Sequence, residues 1–238
     1  MEETKAPKRD KYLIPKGSYY RRLPKNITTH ISSMGDFGIY LKAIGTYTHL
    51  LNYTYGEYRT NDFYIGVLHQ IRMMIDVLCK CAAFYLTDSK DTFLSRFIED
   101  KRVDNQKYKG KQLTANVTLD YLESRYAGIK EVYDECNRYI HPTIFFYRRY
   151  KDSESWFTSI RNLSEQKKVF DFFFEVSNQI LVEILTDSFN AYAVPKYGLE
   201  PITTKKRYKR TLAYTKEALD EYKPKKVPNP RYKEPNNN

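Results

Sequence analysis

The chain has 238 residues, 41% of them hydrophobic and 29% charged, a balance typical of a globular protein rather than a disordered or fibrous one. Its three cysteines argue against a disulfide-stapled secreted fold, and its charged first residues do not resemble a signal peptide. The most apolar stretch, residues 65–86, contains Arg72, Asp76 and Lys80, which a bilayer core disfavours. The sequence therefore predicts a cytoplasmic protein that does not enter a membrane.

The net charge of +11 is concentrated at the two ends of the chain. Residues 1–26 carry eight Lys and Arg against three acids, and residues 195–238 carry twelve against five, whereas residues 27–194 carry twenty against twenty-one. Nine of the ten prolines also lie in those ends, and proline resists both helix and sheet formation. We therefore predict a folded body over residues 27–194, flanked by extended basic arms over 1–26 and 195–238.

The first half of the body has the apolar spacing of helices. A first helix is predicted over residues 37–52, with Asp36 as its N-cap. A second, capped by Asn61 or Asp62, is predicted to run to about Leu86. Because the second helix is apolar on most sides, we expect it to be central in the fold.

Further helices are predicted in the second half of the body. A short third helix opens at Ser89 or Asp91, and the polar stretch 99–112 after it is predicted to be a loop. A fourth helix is capped by Thr118 and ended by Pro142, since the residue before a proline disfavours the α region.

The end of the body completes the predicted architecture. The run 143–160 is ambiguous between a strand and an irregular connection, and a last long helix is predicted from Ser164 to about Tyr192. Five helices without βαβ alternation predict an all-α helical bundle. Residues 215–222 contain a weaker helical pattern within the C-terminal arm.

The second predicted helix carries polar residues inside an apolar segment. His69, Arg72 and Asp76 are spaced i, i+3 and i+7, which places them on one helical face. A charge in such a segment is costly unless it is paired. The pattern is therefore either a structural ion pair that holds the bundle together or a pocket that binds a phosphate, with Asp76 orienting Arg72.

A second polar group, Asn137, Arg138 and His141, lies at the end of the fourth predicted helix. A histidine there has a structural explanation, because its cation suits the negative end of the helix dipole. The functional alternative is a proton carrier that works near neutral pH.

These two segments resemble the HEPN-like superfamily of prokaryotic α-helical proteins. The resemblance rests on Arg72-Met-Met-Ile-Asp76 and on Tyr133-Asp-Glu-Cys-Asn137-Arg-Tyr-Ile-His141-Pro142, and it covers about residues 37–190. It implies a homodimer and either a metal-independent endoribonuclease or a non-catalytic member that binds nucleic acid or a partner in phage defence or toxin–antitoxin systems. Nuclease-active members carry an arginine separated from the histidine by four to six residues. Here Arg138 stands only three positions before His141, so Arg72 is our candidate for the missing guanidinium.

The arms combine cations with tyrosines. Such segments suit nucleic acid, because cations neutralise phosphates while a tyrosine ring stacks on exposed bases. The alternatives are solvated tails or arms that dock on a protein partner. The candidate nucleic-acid-binding residues are Lys205, Lys206, Arg207, Tyr208, Lys209 and Arg210 in the C-terminal arm and Arg21 and Arg22 in the N-terminal arm.

Several other chemistries have no support in the sequence. There is no phosphate-binding Gly-rich loop of the P-loop or dinucleotide-binding type. The Cys79-Lys-Cys81 segment lacks two further ligands for a structural zinc site, so its cysteines are predicted to be core residues. No cofactor and no metal are therefore predicted.

The leading hypothesis is a HEPN-like helical protein that binds nucleic acid, with RNA as the first candidate ligand. If it cleaves RNA, His141 serves as acid or base, Arg72 or Arg138 stabilises the phosphate charge, Asp76 orients Arg72, and Asn137 completes the pocket. The alternative is a non-enzymatic interaction protein, in which the same pocket is structural and the arms dock on a protein partner.

Overall fold

The computed structural model describes residues 23–60, 64–103, 106–140 and 163–203 of the chain. Within these ranges the structure is all-α, as predicted, apart from one short hairpin. The helices are α1 (Lys25–His30), α2 (Gly35–Thr60), α3 (Tyr64–Leu86), α4 (Lys90–Ile98), α5 (Ala115–Arg125), α6 (Ile129–Ile140), α7 (Leu163–Ser188) and α8 (Val194–Tyr197). The hairpin pairs β1 (Lys107–Tyr108) with β2 (Lys111–Gln112), and a π-helical segment, Phe189–Ala193, joins α7 to α8.

Helix α3 is the centre of the bundle, which confirms its predicted position. It packs against α2, α4, α5, α6 and α7. A helix that contacts neighbours on so many sides must be apolar nearly all round. Its fully buried side chains include Leu68, Ile71, Ile75, Leu78 and Ala82. None of the described helices is both long enough and apolar enough to cross a membrane.

An aromatic cluster closes one end of the core. Phe84 of α3 lies at its centre, with its ring centroid 5.4 Å from that of Phe37, 5.0 Å from Tyr40, 5.4 Å from Phe93 and 5.7 Å from Tyr192. These rings come from α2, α3, α4 and the π-helical segment, so the cluster joins four separate elements of the chain.

Helix α2 continues to Thr60 rather than ending near residue 52, because its C-terminal half packs on α7. The side chains of Asn52 and Asn178 exchange two hydrogen bonds, of 3.2 and 2.9 Å, in the buried interface between the helices. The ring of Tyr55 stacks on that of Phe174 with centroids 4.0 Å apart. These tertiary contacts stabilise two further helical turns that the local sequence does not predict.

The predicted fourth helix is two helices, and its predicted N-cap is wrong. Helix α5 is capped by Thr114, and Thr118 lies buried inside it. The chain breaks before α6 at Gly128, whose φ of 95° suits only glycine well. The Glu123 carboxylate accepts hydrogen bonds from the backbone N–H groups of Gly128 and Lys130, at 2.8 and 2.9 Å, and so stabilises the start of α6.

The predicted loop 99–112 contains the β1–β2 hairpin. Its two turn residues, Lys109 and Gly110, both have positive φ, as a type I′ turn requires. The Asp88 carboxylate accepts hydrogen bonds from both of their backbone N–H groups, at 3.0 and 3.3 Å. The third predicted helix is confirmed as α4, with Ser89 at its N-cap position.

Both ends of the described chain pack on the bundle. Helix α1 begins at Lys25, and residues 195–203, although predicted to belong to the C-terminal arm, also make tertiary contacts. The Tyr197 hydroxyl donates a 2.7 Å hydrogen bond to the carbonyl of Met34, and the Asn190 side chain exchanges two bonds with the backbone of Ile202. The rest of both arms, residues 1–22 and 204–238, lies outside the described residues, as do the predicted caps Asn61 and Asp62, the run 143–160 and residues 215–222.

Candidate functional site

The Arg72 guanidinium lies between α3 and α6, and its side chain is only 17% exposed. Its Nε donates a 2.7 Å hydrogen bond to Asn137 Oδ1, and its Nη2 donates a 2.5 Å bond to the Tyr133 hydroxyl. Its Nη1 forms an ion pair with Asp76, one turn further along α3. The guanidinium carbon also lies 3.8 Å from the centroid of the Tyr133 ring. We call these four residues the Arg72 cluster.

The helical spacing of each pair explains why the cluster forms. Arg72 and Asp76 are four residues apart on α3, and Tyr133 and Asn137 are four apart on α6, so each pair shares one helical face. The two faces meet where α3 and α6 pack against each other. The crossing of the helices therefore completes a site of which each helix supplies half.

Three of the five predicted catalytic residues meet in this cluster: Arg72, Asp76 and Asn137. Arg138 belongs to α6, but its side chain lies outside the described residues, as does the whole of His141. His69 is exposed on α3. Tyr133 begins the second segment of the resemblance, but the sequence analysis does not select it as a site residue, although its position four residues before Asn137 is an available signal.

The contacts of Arg72 decide what it can do. Each of its three guanidinium nitrogens faces a partner, and one face of its plane lies against an aromatic ring. The Nη1 contact with Asp76 has the distance of an ion pair without the angles of a hydrogen bond. Arg72 therefore ties α3 to α6 and does not present the open fork that binds a phosphate bidentately.

A cleft of about 850 Å³ borders the Arg72 cluster, and Asp76 forms part of its wall. This volume is within the range of small-molecule sites. The remaining walls come from α2, α3, the end of α4 with the segment after it, and the start of α5. The side chains that give the cleft its chemical character are the aromatic Tyr47 and Phe97, the cations Lys80, Lys101 and Arg102, and the carboxylates Asp76 and Asp100.

Two features of the cleft follow from its packing. Burial, and after it the negative charge of Asp76, raises the pKa of Tyr47, so this phenol is a neutral hydrogen-bond donor near pH 7. The Lys80 ammonium lies 5.6 Å from the centroid of the Phe97 ring.

Among the described residues, no group of three His, Cys, Asp or Glu side chains is placed to hold a metal ion.

A second polar cluster, which the sequence analysis does not single out, joins α5 to α7. Arg125 pairs with Asp187 at 3.0 Å and also donates to the Tyr121 hydroxyl, while the Tyr126 hydroxyl donates a 2.8 Å bond to Glu183. All of these groups have partners, so the cluster is explained by helix packing alone.

None of the three cysteines forms a disulfide and all are buried, which confirms the predicted core positions of Cys79 and Cys81. Burial raises the pKa of Cys79 and of Cys81 to about 12 in each case.

Because the thiolate is the reactive form, we expect none of the three thiols to react with Ellman's reagent in the native protein at pH 8. All three should react in denaturant, and rapid modification of the folded chain would contradict this burial.

Comparisons of the chain with protein-family models, with curated protein sequences and with solved structures find no match. The resemblance to the HEPN-like superfamily therefore stays a prediction from the two segments that carry it. The function has to be argued from the cluster, the cleft and the charge distribution of this chain.

Proposed function

We propose that this chain is a HEPN-like, cytoplasmic RNA-binding protein that acts as a homodimer. Its basic arms bind the phosphate backbone, and the Arg72 cluster holds in place the helix end that precedes His141. The observation that carries this proposal is the Arg72–Asn137 hydrogen bond, because it joins the two polar segments on which the resemblance rests. Asn137 lies in the last turn of α6, which ends at Ile140.

In this proposal Arg72 is a positioning residue rather than a ligand of the phosphate. Each of its guanidinium nitrogens already faces a partner within the bundle, so it acts by fixing α6. If the protein cleaves RNA, the reaction is a metal-independent transesterification. The ribose 2′-oxygen forms a bond to the adjacent phosphorus, and the bond to the 5′-oxygen of the next nucleotide breaks. His141 takes the 2′-hydroxyl proton or supplies one to the leaving oxygen, and Arg138 stabilises the phosphate charge.

The charge distribution supports RNA as the ligand. The basic excess lies in the segments 1–26 and 195–238, while the body between them is close to neutral. Phosphate neutralisation by lysine and arginine favours binding through counterion release. The cleft beside Asp76 offers the ring of Tyr47 and the exposed cations Lys101 and Arg102 to a strand that the arms bring to the bundle.

One observation favours a second candidate function, a non-enzymatic interaction protein of a defence or toxin–antitoxin system. Every guanidinium nitrogen of Arg72 faces a partner from the bundle itself, as expected of a purely structural network. The arms would then dock on an acidic protein partner, and RNA would bind weakly or not at all.

The first test is RNA binding by the full chain, measured with labelled RNA over a series of salt concentrations. Replacing five cations of the C-terminal arm with glutamine should weaken binding at least tenfold. The salt slope, which is the steepness with which log affinity falls as log salt concentration rises, should also decrease. The decrease should be about 0.7 for each phosphate that the arm no longer neutralises. The arm variant carries substitutions at Lys205, Lys206, Arg207, Lys209 and Arg210. Its charge-matched control carries substitutions at cations outside the arms, the cleft and the dimer interface: Arg59, Lys107, Lys109, Lys111 and Lys130.

The outcomes separate the two candidate functions. An equal decrease of affinity in the arm variant and its control would indicate a general charge effect and contradict the role of the arms. Absence of binding at low salt would favour the protein-partner alternative. Cleavage is read on the same samples in EDTA, and full cleavage by His141→Ala would rule out His141 as the acid or base.

A further inference from the structure

An apolar stripe runs along the solvent side of α2. Five large hydrophobic side chains are exposed in the described part of the chain, and four of them lie on this helix. Three are more than half exposed: Ile39 at 51%, Leu50 at 53% and Tyr53 at 53%. Exposed apolar surface of this extent on one element is typical of an interaction site.

The spacing of the stripe is that of a helix–helix seam. Positions 39, 43, 46, 50, 53 and 57 follow one another at intervals of four and three residues, the a/d spacing of a coiled coil. We define the α2 stripe as the first five of these residues: Ile39, Ala43, Thr46, Leu50 and Tyr53. The opposite face of α2 is already buried in the core, through Tyr40, Leu41, Ile44, Leu51 and Tyr55. Helix α2 is therefore apolar on two faces, and only one of them is covered by the described part of the chain.

We propose that the α2 stripe binds the α2 stripe of a second copy of this chain, with the two helices antiparallel. A two-fold dimer needs a patch that is complementary to itself. The charges of α2 meet this requirement, because Lys42 flanks the stripe in the N-terminal half of the helix and Glu57 occupies the sixth seam position in the C-terminal half. An antiparallel pair places Lys42 beside Glu57 of the second copy, whereas a parallel pair would place like charges together.

The sizes of the stripe residues fit the same arrangement. In the antiparallel register centred on residue 48, Ala43 lies opposite Tyr53 of the second copy, and Thr46 lies opposite Leu50. A small residue then faces a large one in both of these layers, which lets the two helices approach closely, and Ile39 lies opposite Glu57 at each end of the seam. Antiparallel packing also opposes the two helix dipoles favourably.

The size of the helix limits the strength of the dimer. Helix α2 has 26 residues and is therefore ~39 Å long. With a helix width of about 10 Å, its footprint is roughly 400 Å², about half of the ~800 Å² per partner in a standard stable interface. We therefore expect a dimer that forms at about micromolar concentration and dissociates on dilution. This inference rests on the homodimer of the proposed function but not on RNA binding, so loss of the dimer and loss of RNA binding are separate outcomes.

The test is sedimentation velocity of the full chain, without RNA, over a concentration series. Wild type should shift from monomer to dimer as its concentration rises. Leu50→Lys should shift this equilibrium at least tenfold toward monomer. Ile98→Lys is the matched control, because Ile98 is 40% exposed but lies on α4, off the stripe. A melting curve for each variant verifies that it is folded.

A charge exchange tests the orientation. Lys42→Glu and Glu57→Lys should each weaken the dimer by roughly threefold to tenfold, since each places like charges together at two symmetric points. The double variant restores opposite charges in the antiparallel pair and should recover wild-type association. A monomeric wild type at every concentration would overturn the proposal, as would equal effects of Leu50→Lys and Ile98→Lys. Failure of the double variant to recover would overturn the antiparallel arrangement.

Discussion

Arg72→Ala is expected to lower the free energy of unfolding by about 3 kcal/mol, because it leaves three partners without their donor. Asp76 loses its cation, and the Asn137 and Tyr133 side chains lose their hydrogen bonds to the guanidinium. This expected decrease is at the low end of the decreases in unfolding free energy that follow from breaking a buried ion pair. The reason is that the Asp76 side chain is 44% exposed. Urea unfolding measures the change, and a decrease in Tm of about 6–12 °C should accompany it.

Arg59→Ala is the matched control for this variant. Arg59 also pairs with an aspartate, Asp171, at 2.8 Å, but these two side chains are 40% and 41% exposed. A surface pair of this kind contributes less than about 1 kcal/mol. Equal decreases for Arg72→Ala and Arg59→Ala would mean that the Arg72 cluster is no more than another surface ion pair.

Arg72→Ala also distinguishes positioning from direct phosphate binding. If the guanidinium only fixes α6, the salt slope of RNA binding should be the same as in wild type at a temperature where the variant is folded. A slope reduced by about 0.7 would indicate that Arg72 itself neutralises one phosphate, and it would contradict the positioning role.

Phe84→Ala is expected to be more destabilising still, by about 4 kcal/mol. The substitution removes a fully buried ring at the centre of the aromatic cluster, where it contacts Phe37, Tyr40, Phe93 and Tyr192. The loss of unfolding free energy combines the reduced burial of apolar surface with the cost of the cavity left behind. The cavity persists because the surrounding rings are held by separate elements and cannot all move into the space. Urea unfolding, at a concentration low enough for the monomer, gives the value directly.

The control for Phe84→Ala is an aromatic residue of similar size on the surface. Tyr53 is 53% exposed, so Tyr53→Ala should change the free energy of unfolding by no more than about 0.5 kcal/mol under the same conditions. A decrease below about 1 kcal/mol for Phe84→Ala would contradict the central place of this ring in the core.

Local periodicity is enough to predict the positions of α2, α3, α4 and α7, because each repeats its buried residues at helical spacing over several turns. It also predicts the central place of α3, which is apolar on most sides. It does not predict where α2 ends, because the last turns depend on contacts of Asn52 and Tyr55 with α7. Nor does it predict the break before α6, where a glycine with positive φ and the Glu123 carboxylate end one helix and begin the next.

The contacts of the candidate site also divide into those that the sequence predicts and those that depend on tertiary packing. The sequence by itself determined that Arg72 pairs with Asp76, since residues four apart on one helix always share a face. Only the tertiary structure decided that Asn137 and Tyr133 complete the cluster, because that depends on how α3 and α6 cross. Packing likewise decided which apolar face of α2 enters the core and which remains exposed as the α2 stripe. Spacing within a helix is a local property, whereas the partner of a helical face is chosen by residues distant in the chain.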